Sequence, residues 1–485
     1  MNSTEHFLLM IADAAKVTGE RKSLEVKSPY DDALIATVEM ANAETVELAL
    51  AHASHLFADR QGWIPVDQRI VILERMIELL KAQAEELALG AAQEGGKPLI
   101  DSRIEMARCV DSIRICMDTM RTDASRQPVM GVNAASKHRA ALMQKEPIGV
   151  VVAVSAFNHP LNLIAHQVGP AIAAGCPVIV KPAEDTPLSC LRLTRLFHQA
   201  GLPEGWLQCV VPESRALAEA LVTDARVGFF SFIGSSRVGW YLRSKLAPGT
   251  RCALEHGGVA PVIVCKDADL KIALPGLMKG AFYHAGQVCV SVQRIFAHTS
   301  IARNLADNMA KQAKALVVGN PVSDTTEIGP LIRSGEVDRV DSWVKDAVAG
   351  GATLLCGGDK MNFHCYAPTV LFDPACDATV STNEVFGPVA CVYPFDELDA
   401  AIDEANALEV AFQASVYSRK LDTALGIANR LNASAVMVND HTAFRVDWMP
   451  FAGLRHSGLG VGGIPFAIRD MQAEKMIVIH SEGIA

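Results

Sequence analysis

The chain contains no apolar run approaching the ~18 residues that a membrane-spanning helix needs, so no such span is expected. Its first residues, Met1-Asn2-Ser3-Thr4-Glu5-His6, lack a basic region leading into an apolar stretch, which argues against an export leader and for a cytoplasmic location. No two of the 12 cysteines stand at Cys-x-x-Cys spacing, and they are spread evenly. That distribution argues against a zinc site or a disulfide framework, and reduced thiols with no metal are expected. There is no basic tract, and the net charge is −10, so nucleic acid is not an expected partner. Any anionic substrate must therefore find its positive charge locally. What is present is a 485-residue chain, half apolar and 20% charged, hence globular and, by length, of roughly three domains.

Helical periodicity predicts a helix over 43–58 and a longer one over 66–93, with Ile70, Ile72, Leu73, Met76, Leu79 and Leu80 at helical spacing. A third, over 102–120, carries Arg103, Arg108 and Arg114. From Gly149 the texture changes to strand and helix in alternation. Strands are expected at 150–154, 177–180, 207–211 and 229–233, with helices at 161–174 and 188–200. Such repeats imply a parallel sheet covered on both faces, with ligands at the carboxyl ends of its strands. Asn158, Lys181 and Gly234 each follow a strand and should meet there. A second alternating region runs from about Pro261 to residue 440. The polar stretch 126–145 fits neither pattern.

Two residues suggest chemistry. Cys289 lies in Phe282-Tyr283-His284-Ala285-Gly286-Gln287-Val288-Cys289-Val290, and Glu255 lies 34 residues upstream in Ala253-Leu254-Glu255-His256-Gly257-Gly258. A thiol attacks as the thiolate, with a free pKa of ~8.5, so a carboxylate that takes a proton directly or through water is a sensible partner. Gly234 to Gly239 gives Gly-x-x-x-x-Gly after a strand and at a helix start, where free N–H groups and the helix dipole favour a pyrophosphate. It is not a P-loop, since no Gly-Lys-Ser/Thr follows.

These segments join Glu146-Pro147-Ile148-Gly149, Ala156-Phe157-Asn158-His159-Pro160-Leu161-Asn162, Val180-Lys181-Pro182-Ala183-Glu184 and Asn383-Glu384-Val385-Phe386-Gly387-Pro388. Together, from about residue 25 to the C-terminus, they resemble the aldehyde dehydrogenase superfamily. The resemblance implies an α/β fold with a Rossmann-like NAD-binding domain (1–125 and 146–255), an α/β catalytic domain (256–460) and a small β oligomerisation arm (126–145 and 461–485). The arm would pair with C-terminal residues of a partner subunit, here Lys475 to Ile479, in a homodimer or homotetramer. By the same resemblance Cys289 is the nucleophile, Glu255 activates the hydrolytic water, and Asn158 with the Cys289 N–H forms an oxyanion hole. Ser235, Gly234 and Gly239 would hold the pyrophosphate, Lys181 and Glu184 the adenosine ribose, and Glu384 and Phe386 the nicotinamide ribose and ring. A carboxylate at Glu184 favours NAD, with NADP possible through Lys181. The branch that transfers acyl groups to coenzyme A lacks a glutamate at the position of Glu255, so free acid is the expected product. The family usually has Leu where this chain has His256, which changes the surroundings of Glu255 in a direction left open.

Three basic residues border the aldehyde tunnel by resemblance: Arg108, His159 and Arg445. Guanidinium groups suit a tetrahedral anion because they donate two hydrogen bonds at once, and His159 would add a donor when protonated. The stretches around Asn158, Glu255, Cys289 and Arg445 resemble most the branch that oxidises 2-phosphonoacetaldehyde to phosphonoacetate. Alternatives are another small anionic or hydroxylated aldehyde (glyceraldehyde 3-phosphate, sulfoacetaldehyde, lactaldehyde, succinate semialdehyde) and a non-catalytic binding or structural protein on the same fold. Arg294, five residues after Cys289, could point toward the site or away from it.

Overall fold

The computed structural model describes residues 5–18 and 21–484; Met1 to Thr4, most of the segment read for a leader, lie outside the described residues. The predicted first helix is Ala43–Ala58, capped by the Asn42 side chain accepting from the Thr45 N–H at 2.9 Å. The single helix expected over 66–93 is two, Val66–Ala82 and Ala84–Gly95, because Gln83 leaves helical geometry at φ −112°, ψ 17°. The break turns the second helix so that Leu87, Ala88, Ala91 and Ala92 are buried; strong helix formers on both sides hide it from periodicity. The third helix is longer than expected, Leu99–Thr122.

Val150–Val154 and its neighbours are rich in β-branched and aromatic residues and form the centre of a six-stranded sheet. Its order is Gly458–Leu459, Arg251–Glu255, Val227–Ile233, Val150–Val154, Val178–Lys181, Leu207–Cys209, parallel except for the first pair. Val151, Ala153, Val178 and Val180 pack on one face, and Val150, Val152, Ile179 and Phe230 on the other, as the two-residue strand period requires. From Val150–Val154 the chain builds outward through the strands at 178 and 207, then returns to 227 on the opposite side. That reversal opens a crevice at the carboxyl ends of Val150–Val154 and Val227–Ile233.

The second alternating region forms a seven-stranded sheet ordered Thr353–Cys356, Thr369–Phe372, Val389–Phe395, Arg294–His298, Pro261–Val264, Gln413–Tyr417, Ala435–Val438, with only the first pair antiparallel. It has its own core. The polar stretch near 126–145 leads into a strand, Arg139–Pro147, which pairs antiparallel with Gln472–His480 of the same chain, Met143 opposite Met476. The pairing expected with a partner's C-terminal strand is thus made within one chain, because the last helix, Ile464–Asp470, packs on the first sheet's helices and delivers the terminal strand alongside. Among the described residues, no helix is long and apolar enough to cross a membrane.

Candidate active site

A cavity of ≈ 750 Å³ opens at the crevice and extends to the second sheet. Twelve of the thirteen residues singled out in the sequence line it; Gly239 does not, standing one residue beyond the lining Val238.

At the first sheet's end, Lys181 closes a strand and Glu184 follows, their side chains 3.9 Å apart. Ser235 is the N-cap of the helix Ser236–Arg243 and makes no side-chain cap bond, leaving its hydroxyl and the first-turn N–H groups for an anion. Glu384 sits against Gly257, where a Cβ would fall 1.8 Å from its Oε1. That Oε1 is buried without a hydrogen-bond partner among the described residues. Burial pushes the Glu384 carboxyl up to about 8, against the opposing Gly258 N–H and Arg339. Phe386 meets Phe157 edge to face at 5.9 Å.

Cys289 lies on the loop before the strand Arg294–His298. The loop is bent by consecutive left-handed residues, His284, Ala285 and Gly286 (φ 49°, 53° and 71°). A Cβ on Gly286 would fall 2.0 Å from the Gly387 carbonyl oxygen, so glycine alone fits. Asn158 donates from its side-chain amide to the Gln287 carbonyl at 2.9 Å, tying the end of Val150–Val154 to this loop. Burial pushes the Cys289 thiol well above its ordinary value; the Glu255 carboxyl adds to this and Arg445 opposes it. Burial likewise raises Glu255, with Arg445 and Arg108 opposing. Both groups are therefore held toward their neutral forms before substrate enters.

The basic corner differs from the expectation. Arg108 donates to Asp447 twice, and Asp447 also accepts from His166 Nε2 at 2.8 Å and from the Asn162 amide at 3.3 Å. Burial alone would raise Asp447, but the hydrogen bonds from His166 and Arg108 hold its carboxyl well below the usual range. Arg445 lies over the Phe451 ring, 3.5 Å from its centroid. His159 is buried, with Nε2 3.5 Å from the Tyr283 hydroxyl. Burial, followed by the charges of Lys97, His284, Arg108 and Arg445, pushes His159 well below its ordinary value. That shift favours a neutral imidazole over the donor that His159 would be when protonated.

Arg294 points away, donating to the Glu404 carbonyl at 2.9 Å and its carboxylate at 2.8 Å. Arg103 and Arg114 form exposed pairs with Glu85 and Asp111. The His256 ring faces the glycine turn, its Nδ1 3.0 Å from the Gly234 carbonyl oxygen. Asp447 and His166 were missed. The Arg-x-Asp spacing at 445–447 was the available signal for the first, whereas His166 looked like one residue of a buried helix. Arg215 and Arg333 at the adenosine end were missed too; Arg333 holds Asp185 at 2.8 Å.

A thiol, a half-buried carboxyl and a glycine turn at a helix start share one cavity of an α/β fold, an arrangement that suits an oxidoreductase. Residues 16–477 match the model of the aldehyde dehydrogenase family. The chain belongs to that family and is an enzyme of its kind. It is 37% identical over 481 residues to the 3-sulfolactaldehyde dehydrogenase of Priestia aryabhattai, covering 99% of both chains. It superposes on aldehyde dehydrogenase 21 of Physcomitrella patens, in complex with its reaction product succinate, with a TM-score of 0.94, 32% identity and 99% of each chain covered. With the glyceraldehyde-3-phosphate dehydrogenase GapN of Methanocaldococcus jannaschii, complexed with NADP, the TM-score is 0.90 at 32% identity, covering 96% and 100%.

Proposed function

We propose that this protein oxidises a short aldehyde bearing a phosphonate or sulfonate group to the free acid with NAD, and that 2-phosphonoacetaldehyde, converted to phosphonoacetate in 2-aminoethylphosphonate breakdown, is its leading substrate. The observation that carries this reading is Arg445, backed by Arg108, in the wall of the cavity that holds Cys289. The names of the three relatives add support: a sulfonate, a dicarboxylate and a phosphate each mark a small anionic compound.

The residues present fit a nicotinamide dinucleotide. Ser235 and the first-turn N–H groups suit its pyrophosphate, and the unpartnered Glu384 Oε1 suits a ribose hydroxyl. Glu184 would accept from the adenosine ribose and repel a 2′-phosphate, which favours NAD; Lys181, Arg215 and Arg333 leave NADP possible. When bound, the cofactor accepts the hydride leaving the substrate carbon. The protein supplies the rest. The Cys289 proton passes, directly or through water, to Glu255 and on to solvent as the sulfur adds to the aldehyde carbon, while the Asn158 amide and the Cys289 N–H stabilise the oxyanion. After hydride departure the acyl group remains on Cys289 as a thioester. Glu255 takes a proton from the water that attacks it, releasing the acid and the thiol.

A second reading, 3-sulfolactaldehyde, is favoured by the Priestia relative and by charge. Asp447 offsets Arg108, so the corner presents one net positive charge from Arg445, matching a sulfonate monoanion.

The domain division expected from resemblance (1–125 with 146–255, 256–460, and 126–145 with 461–485) belongs to this proposal and is supported by the separate cores of the two large sheets. The ribbon of Arg139–Pro147 with Gln472–His480 exposes Leu142, Met476, Ile477, Val478 and Ile479, a surface suited to a second copy in a homodimer or homotetramer. A cytoplasmic setting suits a free catalytic thiol.

The test is NADH appearance at 340 nm with NAD and equal concentrations of phosphonoacetaldehyde, 3-sulfolactaldehyde, sulfoacetaldehyde, glyceraldehyde 3-phosphate, lactaldehyde, succinate semialdehyde or propanal, compared as kcat/KM. A lead for phosphonoacetaldehyde supports the first reading and a lead for a sulfonate the second. A lead for propanal or lactaldehyde sinks both and keeps only the mechanism.

A further inference from the structure

His166 is buried on the helix Asn162–Ala174, every residue of which is buried, behind the wall of the cavity rather than in it. Its two ring nitrogens face two different neighbours. Nε2 lies 2.8 Å from Asp447 Oδ1, and Nδ1 lies 3.3 Å from Arg445 Nη2. A carboxylate only accepts and a guanidinium only donates. These two partners therefore fix one tautomer: Nε2 carries the hydrogen and Nδ1 offers its lone pair. A protonated ring would set an N–H against the N–H of Arg445. Burial, together with the nearby Arg445 charge, holds His166 down to about 4, which keeps the ring neutral near pH 7.

Arg445 has few other holds. Its Nε stands 3.9 Å from Asp447 Oδ1, beyond hydrogen-bond distance, and is buried without a partner among the described residues. The same Asp447 oxygen already accepts from Arg108, His166 and Asn162. Phe451 flanks the guanidinium plane without fixing its rotation. The hydrogen-bonded chain thus runs from Arg445 through His166 to Asp447 and Arg108.

We propose that His166 is a positioning residue for substrate selection: its Nδ1 lone pair orients the Arg445 guanidinium toward the anionic group of the aldehyde, while its Nε2–H anchors the ring on Asp447. This rests on the reading that Arg445 receives that anionic group. His166 itself touches neither substrate nor Cys289.

Three substitutions separate the two nitrogens. His166→Asn places a side-chain oxygen near the position of Nδ1 and gives up the contact at Nε2. His166→Gln places an amide N–H near Nε2 and gives up the acceptor at Nδ1. His166→Phe fills the space and removes both. For the full-length enzyme with NAD, kcat and KM are measured for phosphonoacetaldehyde, 3-sulfolactaldehyde and propanal. The Phe and Gln variants are expected to raise KM for the wild type's preferred anionic aldehyde about tenfold, the loss that one charge-assisted hydrogen bond implies, with kcat/KM for propanal within about twofold. The Asn variant is expected to retain most of the wild-type KM. Should the Phe variant not fold, the contrast between Asn and Gln decides alone. Rescue by Gln and not by Asn would overturn the proposal in favour of a structural bond to Asp447, and so would equal losses on anionic and neutral aldehydes. A wild-type enzyme with no preference for the anionic aldehydes would instead bring down the substrate reading, and the role of His166 with it. A preserved wild-type preference that all three variants share would sink only the role of His166.

Discussion

Arg108 and Asp447 meet side-on, Nε to Oδ2 at 3.1 Å and Nη2 to Oδ1 at 2.6 Å, although 339 residues separate them in the chain. Asp447 is 2% exposed and Arg108 26%, so neither partner is freely solvated. Arg108→Ala would leave Asp447 buried with His166 and Asn162 but without its guanidinium. Two outcomes are expected together. Denaturant unfolding should show a loss of about 3 kcal/mol, the usual cost of breaking a buried pair from one side. KM for the preferred anionic aldehyde should rise about tenfold or more while propanal changes little, since the corner loses its net positive charge. Equal effects on both aldehydes would assign Arg108 to scaffold alone.

The raised Cys289 thiol has a kinetic consequence. Burial and Glu255 oppose the thiolate, so alkylation of Cys289 by iodoacetamide in the cofactor-free enzyme should climb with pH to a midpoint above the ~8.5 of a free thiol. Arg445 works in the other direction, and Arg445→Gln should move the midpoint higher still. A midpoint below 8 in the wild type would show a preformed thiolate and contradict the burial argument.

The two sheets were legible because interior strands of each are short β-branched runs: Val150–Val154 falls where the residue pattern put it, and Pro261–Val264 opens the second alternating region where that region was expected to begin. The catalytic loop and the glycine turn were legible as contiguous motifs. The corner was not, because His166, Arg445 and Asp447 meet only through packing of a buried helix against a loop some 280 residues later, and no local period records that. Charge state was hidden for the same reason: nothing in Asn158-His159-Pro160 shows that the ring would be surrounded by Tyr283 and His284 and pushed toward neutrality.

Cys289→Ala should abolish NADH formation with every aldehyde and leave NAD affinity within about twofold by titration calorimetry, because Ser235, Glu184 and Glu384 lie on other elements. Substantial residual oxidation would remove Cys289 from the nucleophile's place.

Glu384 ties pH to stability. Its folded carboxyl is raised from 4.5 to about 8, so the unfolded chain ionises first as pH rises. The stabilising contribution is complete below about pH 4.5 and falls away through the window up to about 8. Glu94, raised to about 7 by burial, adds a decline of the same sign. These carboxyls therefore add a declining component to the thermal midpoint of the cofactor-free enzyme between pH 5 and 8, set against the rise up to about pH 6.5 that the depressed His159 and His166 contribute. Glu384→Gln should remove its share of that component, so the midpoint difference between wild type and variant should fall from pH 5 to 8 while the shares of Glu94 and the histidines stay common to both. An unchanged slope in the variant would place the Glu384 carboxyl in contact with water or a cation.

His256 stands where the family usually carries Leu, and its placement says which function the exchange touches. The ring packs between Phe232 and Trp240, and a Cβ on Gly239 would fall 2.1 Å from its Cε1, so it fills the space that glycine leaves at the first turn of Ser236–Arg243. Its Nδ1 bond to the Gly234 carbonyl holds the turn on which a pyrophosphate would rest. Burial lowers the ring's pKa while the backbone of Gly234 and of Glu255 opposes it, so the ring's polar contacts there are with main chain. His256→Leu keeps the bulk and removes that one hydrogen bond, worth about 1 kcal/mol. KM for NAD should rise about fivefold with kcat unchanged, and thioester hydrolysis, read as the steady rate after any NADH burst, should keep its wild-type value. A fall in that hydrolytic rate with NAD affinity intact would mean that His256 acts on Glu255 after all, through the backbone they share.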